Sequence, residues 1–167
     1  MRKKIIGIIG GHSHNTTAAA LLMAERVGAE AARHGFAIVC GGFDGVMEAA
    51  SKGCREAGGT TLAILKGNDR TKCNSYIDYP IVTSMDVACN NIVVWTSQAL
   101  VAFDGRYGTL NEIALALDFG KPLVVVGKPH LLNVGSVDAK NFRYFEGYDD
   151  ARVPAILDAV ESLIEAG

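Results

Sequence analysis

The sequence lacks paired cysteines, long apolar runs and any large excess of one charge. Its four cysteines form no CxxC pair, which favours a reduced, intracellular protein over a disulfide framework. No stretch of about 18 consecutive apolar residues occurs, and no cleavage site follows the apolar N-terminus, so we expect a cytoplasmic protein without a membrane span. The 16 basic and 18 acidic residues leave a net charge of −2, which disfavours nucleic acid as a partner.

Short apolar runs alternate with alanine-rich helical patterns along the chain. The runs are nearly continuous in apolar residues, as in strands that are buried on both faces of a parallel sheet. This alternation predicts an α/β fold with a doubly wound, mostly parallel sheet and helices on both faces, in a single domain that spans residues 1–167. The predicted strands are 5–9, 36–40, 61–65, 99–103 and 123–126. The predicted helices are 17–34, 46–57, 86–96, 109–119 and 153–165.

Glycine residues at the predicted helix ends support these boundaries. Gly35, Gly58 and Gly120 follow three of the helices and suit left-handed C-caps. Two polar segments, 66–79 and 127–150, are longer than a connection needs, and long loops in a compact domain are more often functional lids or interface segments than accidents.

The stretch that follows the first strand, GGHSHNTT, is a candidate ligand site. Open parallel sheets bind ligands beyond the carboxyl ends of their strands. Gly10 and Gly11 permit a tight turn, and Ser13 stands just before a helix N-terminus, which attracts anions. An ordinary N-cap cluster explains the same residues. His12 and His14 form an HxH pair, too weak a signal for a metal site, so we predict none.

The stretch after the second strand, CGGFDGVMEA, is equally rich in glycine. Gly41, Gly42 and Gly45 surround Asp44, and the missing side chains permit a ligand to approach the backbone closely. The alternative is a tight strand-to-helix turn with Gly45 as the N-cap. No GxGxxG motif follows the first strand and no acidic residue ends the second, so NAD-type dinucleotide binding is disfavoured.

The third stretch, DGRYGTLNE, joins an apolar run to a helical pattern. Thr109 stands at the predicted start of the helix, where a backbone N–H and a hydroxyl suit a phosphate. The letters TLNE also fit a capping box, with Thr109 as N-cap and Glu112 at N3. The sequence leaves both interpretations open. The predicted phosphate-binding residues of this stretch are Gly105, Arg106, Tyr107, Gly108 and Thr109.

The segments 41–65, 74–85 and 104–126 resemble the LONELY GUY-like, or lysine decarboxylase-like, Rossmann proteins. The branch that they resemble includes molybdenum cofactor carrier proteins, and the Rossmann domain of the DNA-processing protein DprA is a more distant relative. Enzymes of the family release a base from a nucleoside 5′-monophosphate. Their glycine-threonine turn holds the phosphate, and a glutamate and an upstream arginine act at the ribose.

The family pattern PGGxGTxxE corresponds here to residues 104–112, with two departures. Asp104 replaces the proline and Arg106 replaces the second glycine, whereas the glutamate is retained as Glu112, the candidate catalytic residue. The position of the family's arginine corresponds to Cys89. Arg106 either binds phosphate oxygens or is a solvated surface residue. Asp104 would repel an anion unless it is paired, and Arg106 is one candidate partner.

These departures favour a binding or carrier protein for a phosphorylated small molecule. The resemblance implies a nucleotide or the molybdenum cofactor as the bound ligand, and a homo-oligomer. We expect no required cofactor. The alternative is a nucleoside 5′-monophosphate phosphoribohydrolase that uses Glu112. A partner-binding or DNA-processing module is disfavoured by the charge balance, and lysine decarboxylation by the absence of a recognisable pyridoxal phosphate site.

Overall fold

The computed structural model describes residues 3–128, 131–137 and 140–167. This part of the chain forms a seven-stranded sheet whose paired strands are parallel, with helices on both faces. The predicted doubly wound α/β fold is therefore confirmed. Positions 129–130 and 138–139 of the long segment 127–150 lie outside the described residues.

Strands and helices alternate along the chain. The strands are β1 (Ile5–Ile9), β2 (Ala37–Cys40), β3 (Thr60–Leu65), β4 (Tyr79–Val82), β5 (Ala99–Ala102), β6 (Leu123–Gly127) and β7 (Phe142–Glu146). The α-helices are α1 (Ala18–Arg33), α2 (Val46–Glu56), α3 (Cys89–Thr96), α4 (Tyr107–Asp118) and α5 (Val153–Ala166). None of these described helices is both long and apolar enough to cross a bilayer.

The strand order places a crevice beside the central strand. The order is β4-β3-β2-β1-β5-β6-β7, so the chain moves outward from β1 to β4 and then returns to the other side of β1. Because the strands are parallel, their carboxyl ends lie at one edge of the sheet. The loops that follow β1 and β5 leave this edge in opposite directions, and such a switch point is where open α/β sheets bind ligands.

Each face of the sheet carries its own apolar core. Helices α1, α2 and α5 cover one face, through buried residues such as Met23, Val27 and Ile156. Helices α3 and α4 cover the other, through residues such as Val93 and Ile113. The inner strands are buried on both sides, which explains why their sequences are continuous apolar runs.

Two strands, β4 and β7, were not predicted from the sequence. Both lie at edges of the sheet, so each pairs with one neighbour and is partly exposed. Strand β4 contains Pro80, which an edge tolerates, and β7 mixes aromatic with charged residues inside the polar segment 127–150. The C-cap predictions hold, since Gly35, Gly58 and Gly120 have φ angles of 81°, 79° and 64°.

Candidate ligand-binding site at the strand ends

A cavity of about 310 Å³ lies at the switch point. The loops after β1, β2 and β5 form its walls together with the end of β3 and the N-termini of α3 and α4. Its volume falls at the lower end of the range of about 300–1,000 Å³ that is typical of small-molecule sites. The structure brings these sequence-predicted residues together in its lining: Gly10, Gly11, Gly41, Arg106, Gly108, Thr109 and Glu112.

The remaining predicted residues belong to the same loops without lining this cavity. Gly105 and Tyr107 border a neighbouring cavity, which they share with Arg106, Asn15 and Leu131. Ser13, Asp44 and Gly45 take part in contacts between the loops, described below, and the Gly42 carbonyl accepts hydrogen bonds from the backbone and side chain of Asn74. The predicted residues outside the lining of the switch-point cavity are Ser13, Gly42, Asp44, Gly45, Gly105 and Tyr107.

Helix α4 presents an uncapped N-terminus to the cavity. Its N-cap is Arg106, whose side chain makes no capping bond. The first bond of the helix runs from the N–H of Leu110 to the Arg106 carbonyl, at 2.9 Å. The N–H groups of Tyr107, Gly108 and Thr109 precede that bond, and no backbone carbonyl in the described part of the chain accepts from them. Free donors at the positive end of a helix dipole suit an anion.

The capping-box interpretation, one of the two that the sequence left open, is wrong, because α4 begins two residues earlier than Thr109. Thr109 lies at N3 and is 5% exposed, so it cannot act as the N-cap. The reason is the closeness of the turn at Gly105. A Cβ there would lie 2.1 Å from Oγ1 of Thr109, so only glycine allows the threonine to approach. The earlier start releases Glu112 from any capping role.

Glu112 belongs to the cavity wall. It follows Gly108 by four residues, so both lie on the same side of α4. Among the described residues, no side chain donates a hydrogen bond to its carboxyl group, and burial raises the pKa of that group to about 8. Glu112 is therefore mostly protonated at neutral pH, and it adds little negative charge beside the helix N-terminus.

Asp104 finds its partner in a backbone N–H rather than in Arg106. The side chain is buried, and its Oδ1 accepts a hydrogen bond of 3.0 Å from the N–H of Lys128. The Asp104 carbonyl accepts a second bond, of 2.7 Å, from Gly11. Asp104 thus joins the loops after β1, β5 and β6, while Arg106 remains exposed at the cavity rim.

Asp44 joins the loop after β2 to the loop after β1. Its carboxylate accepts hydrogen bonds from the side chain of His12 and from both the hydroxyl and the N–H of Ser13. The Ser13 hydroxyl is the main reason that the pKa of Asp44 falls to about 2. Gly45 is the N-cap of α2, as in the alternative interpretation of this stretch, with φ 71°, and a Cβ there would lie 2.3 Å from the Gly11 carbonyl oxygen. These residues fix the shape of the site.

Several lining residues had no predicted role. Lys66, the first residue after β3, places its Nζ 5.5 Å from the ring centroid of Phe43. Its position directly after a buried strand is the signal that could have identified it. At the start of α3, the buried Cys89 and Asn90 line the cavity, and Asn90 donates a 2.9 Å hydrogen bond to Asn111 of α4. Burial raises the pKa of the Cys89 thiol, which favours its uncharged form.

Comparison with known proteins shows a matching family and a similar protein. The model of the SLOG cluster4 family matches residues 3–159. A protein of Archaeoglobus fulgidus, described as uncharacterized, is 37% identical over 152 residues, which cover 90% of this chain and 93% of that protein.

Solved structures with the same fold include proteins named for the molybdenum cofactor. The Moco carrier protein from Chlamydomonas reinhardtii superposes with a TM-score of 0.85 at 35% identity, and the match covers 99% of this chain and 100% of that one. The molybdenum cofactor binding protein from Rippkaea orientalis gives 0.82 at 30% identity, over 96% and 99% of the two chains. DNA processing protein A from Helicobacter pylori shares the fold alone, with a TM-score of 0.59 at 17% identity over 98% of this chain and 79% of that one. The resemblance inferred from the sequence is confirmed.

Proposed function

The chain belongs to the SLOG cluster4 family, and we propose that it is a binding or carrier protein for a phosphorylated small molecule, either a nucleotide or a molybdopterin-type cofactor. Structural neighbours that are named as molybdenum cofactor carrier or binding proteins support this proposal. The observation that carries it is the uncapped N-terminus of α4, which opens into a cavity of about 310 Å³.

The phosphate would bind at the N-terminus of α4. The free N–H groups of Gly108 and Thr109 supply donors, and a Cβ added at Gly108 would meet no protein atom within 4 Å. Arg106 and Lys66 bring positive charge to the cavity, and a guanidinium matches phosphate oxygens well. Protonated Glu112 does not oppose an anion. Asp86 also lines the cavity, but the helix end and the two basic side chains outweigh this one carboxylate and favour a negatively charged group.

The rest of the ligand would lie against the apolar part of the cavity. Phe43, Met47 and Ile64 contribute to the lining, and an aromatic ring together with aliphatic groups suits a flat heterocycle. Purines and pterins are both flat, so the lining fits a nucleotide and a molybdopterin equally. The protein would hold such a ligand through its own backbone and side chains without needing a further cofactor.

Thermal stabilisation tests the proposal directly. A panel of nucleoside monophosphates, ADP-ribose and molybdopterin is added to the protein, and the unfolding temperature is measured by differential scanning fluorimetry. A ligand at 100 times its Kd stabilises by about 2.7 kcal/mol, which corresponds to a rise of roughly 5–10 °C for a domain of this size. Gly108→Asp, which places a carboxylate at the helix end, should abolish the rise. If no phosphorylated compound stabilises the wild type, the proposal is refuted.

The phosphoribohydrolase is the second candidate, and the protonated Glu112 in the cavity favours it, because a neutral carboxyl can donate a proton in catalysis. The position that we align with the family's arginine is Cys89 in this chain, and the lack of an arginine there argues against the hydrolase. Chromatography of reactions with a panel of nucleoside 5′-monophosphates separates the two candidates. We expect no free base from the wild type. If the wild type releases free base and Glu112→Gln does not, the carrier proposal is refuted in favour of the hydrolase.

We also propose that the protein forms a homo-oligomer. Trp95, at 59%, and Tyr79, at 61%, are large aromatic side chains that stay exposed in the single chain, and aromatic residues are enriched at protein–protein interfaces. Size-exclusion chromatography with light scattering gives the mass in solution, and a monomer at micromolar concentration would contradict the proposal.

A further inference from the structure

We propose that His12 contacts the bound ligand and accepts a hydrogen bond from it through Nε2, with Asp44 and Ser13 holding the ring in the required state. The inference rests on the proposed function, since it assigns one contact in the same cavity. It narrows the ligand to a phosphorylated compound that also carries a hydroxyl, amino or ring N–H donor.

The position of His12 is the first observation. His12 lines the cavity, and 45% of its side chain is exposed. Its Nδ1 is bonded to the Asp44 carboxylate, whereas Nε2 has no partner among the described residues. One ring nitrogen is thus fixed by the protein, and the other remains available at a cavity wall.

The position of the proton on the His12 ring follows from the ionisation of Asp44. Hydrogen bonds from Ser13 hold the pKa of Asp44 near 2, so the carboxylate is ionised at neutral pH and can only accept. The proton of a neutral His12 ring must then sit on Nδ1, and Nε2 presents its lone pair. A ligand group that meets Nε2 of this neutral ring must donate.

His14 provides the contrast within the same loop. Its ring stacks on that of His12, with 5.8 Å between the centroids, but His14 does not line the cavity. The two histidines are two residues apart and of the same chemical type. His14 is therefore a matched control for any effect of removing His12.

Replacement of Asp44 by asparagine should reverse the polarity of the ring. Ser13 directs a hydroxyl and an N–H at one oxygen of the carboxylate, Oδ2. In Asp44→Asn the amide oxygen must take that place, because the amide nitrogen cannot accept a hydrogen bond. The amide NH₂ then faces Nδ1 of His12, and the ring must carry its proton on Nε2. The variant would turn an acceptor into a donor with little change in shape.

The first experiment needs no ligand. Nitrogen-15 spectra of the histidine rings report which nitrogen carries the proton. At a pH where the ring is neutral, we expect the Nδ1–H tautomer for His12 in the wild type and the Nε2–H tautomer in Asp44→Asn. An Nε2–H tautomer in the wild type, or no change in the variant, would overturn the proposed hold by Asp44, whatever the ligand proves to be.

The second experiment titrates the wild type, His12→Phe and His14→Phe with AMP and with molybdopterin. Phenylalanine keeps a flat ring without nitrogens. We expect affinity to fall about tenfold in His12→Phe and to stay within twofold in His14→Phe, while the amide signals of Gly108 and Thr109 still move in both. Equal affinity in the two variants would refute the His12 contact and leave the proposed function standing. If no compound of the full phosphorylated panel moves those amide signals in the wild type, the proposed function fails, and the contact fails with it.

Discussion

Replacement of Glu112 by glutamine should make the protein more stable than the wild type, increasingly so as the pH rises. The wild-type carboxyl has a pKa of about 8 in the folded protein, against 4.5 for an ordinary glutamate, because burial disfavours its charged form. Between these two values the unfolded chain has released the proton that the folded chain keeps. The free energy of unfolding of the wild type therefore falls from about pH 4.5 to pH 8 and is level on either side. Glutamine stays neutral throughout.

The size of the effect follows from the two pKa values. One unit of difference corresponds to about 1.4 kcal/mol, so the ceiling above pH 8 is about 5 kcal/mol, and the value at pH 7 is about 3 kcal/mol. Glu112 is partly exposed at the cavity wall, and solvent lowers the cost of its charge. We expect Glu112→Gln to gain less than about 1 kcal/mol over the wild type at pH 5 and roughly 1–3 kcal/mol at pH 8.

Urea unfolding followed by circular dichroism, at intervals between pH 5 and 8.5, measures this difference. Other groups titrate equally in both proteins and cancel when the curves are subtracted. Glu165→Gln, at the exposed end of α5, is the control and should follow the wild type. Parallel curves for the wild type and Glu112→Gln would refute the reasoning, because they would mean that the Glu112 carboxyl in the folded protein ionises as in water.

Three further predictions concern other positions. Gly108→Ala should fold normally, since a Cβ there meets nothing within 4 Å, but its methyl group should weaken binding of AMP or molybdopterin by tenfold or more, as measured by calorimetry. Gly105→Ala should lower the free energy of unfolding in urea by about 2–4 kcal/mol, because its Cβ would lie 2.1 Å from Oγ1 of Thr109. The hydrogen bond that His34 donates to the Glu161 carboxylate raises the pKa of His34, so the stability that this pair contributes is present below about pH 6.5 and is lost as the pH rises through the folded pKa. In His34→Gln, the unfolding temperature should fall less between pH 5.5 and 8.5 than in the wild type.

Each of these predictions has an outcome that would contradict it. Gly67→Ala is the control for Gly108→Ala, because a Cβ at Gly67 also meets nothing within 4 Å and Gly67 lies outside the switch-point cavity. Unchanged ligand affinity in Gly108→Ala would show that the anion does not bind at the N-terminus of α4. Wild-type stability in Gly105→Ala would show that the turn can relax. An equal pH dependence in His34→Gln and the wild type would show that the exposed Glu161 pair contributes nothing.

The inner strands and the helices were predictable because their burial requires a regular local pattern of apolar residues. A strand covered on both faces needs an apolar residue at every position, and the segments 5–9 and 123–126 meet that condition. The edge strands β4 and β7 do not need an apolar residue at every position, since an edge strand can mix exposed and buried positions. Whether such a segment pairs with the sheet depends on the neighbouring strand, which the local pattern does not contain.

The candidate site was predictable in its glycine-rich turns and less so in its details. The start of α4 was misplaced because TLNE is a good capping box, whereas Gly105 permits a closer turn. The role of Asp44 in orienting His12 could not be foreseen, because 32 residues separate them and only the adjacency of β1 and β2 brings them together. Lys66 reaches the same cavity from the end of β3.

The sequence by itself determined the alternation of strands and helices, the glycine positions where the backbone turns, and the family to which the chain belongs. These properties depend on each residue and its near neighbours. Tertiary structure decided which strand ends face one another, and with them the cavity, the neutral Glu112 and the fixed ring of His12. A pKa and a tautomer depend on groups distant in the sequence and on the exclusion of water, which arise only when the sheet and its helices pack.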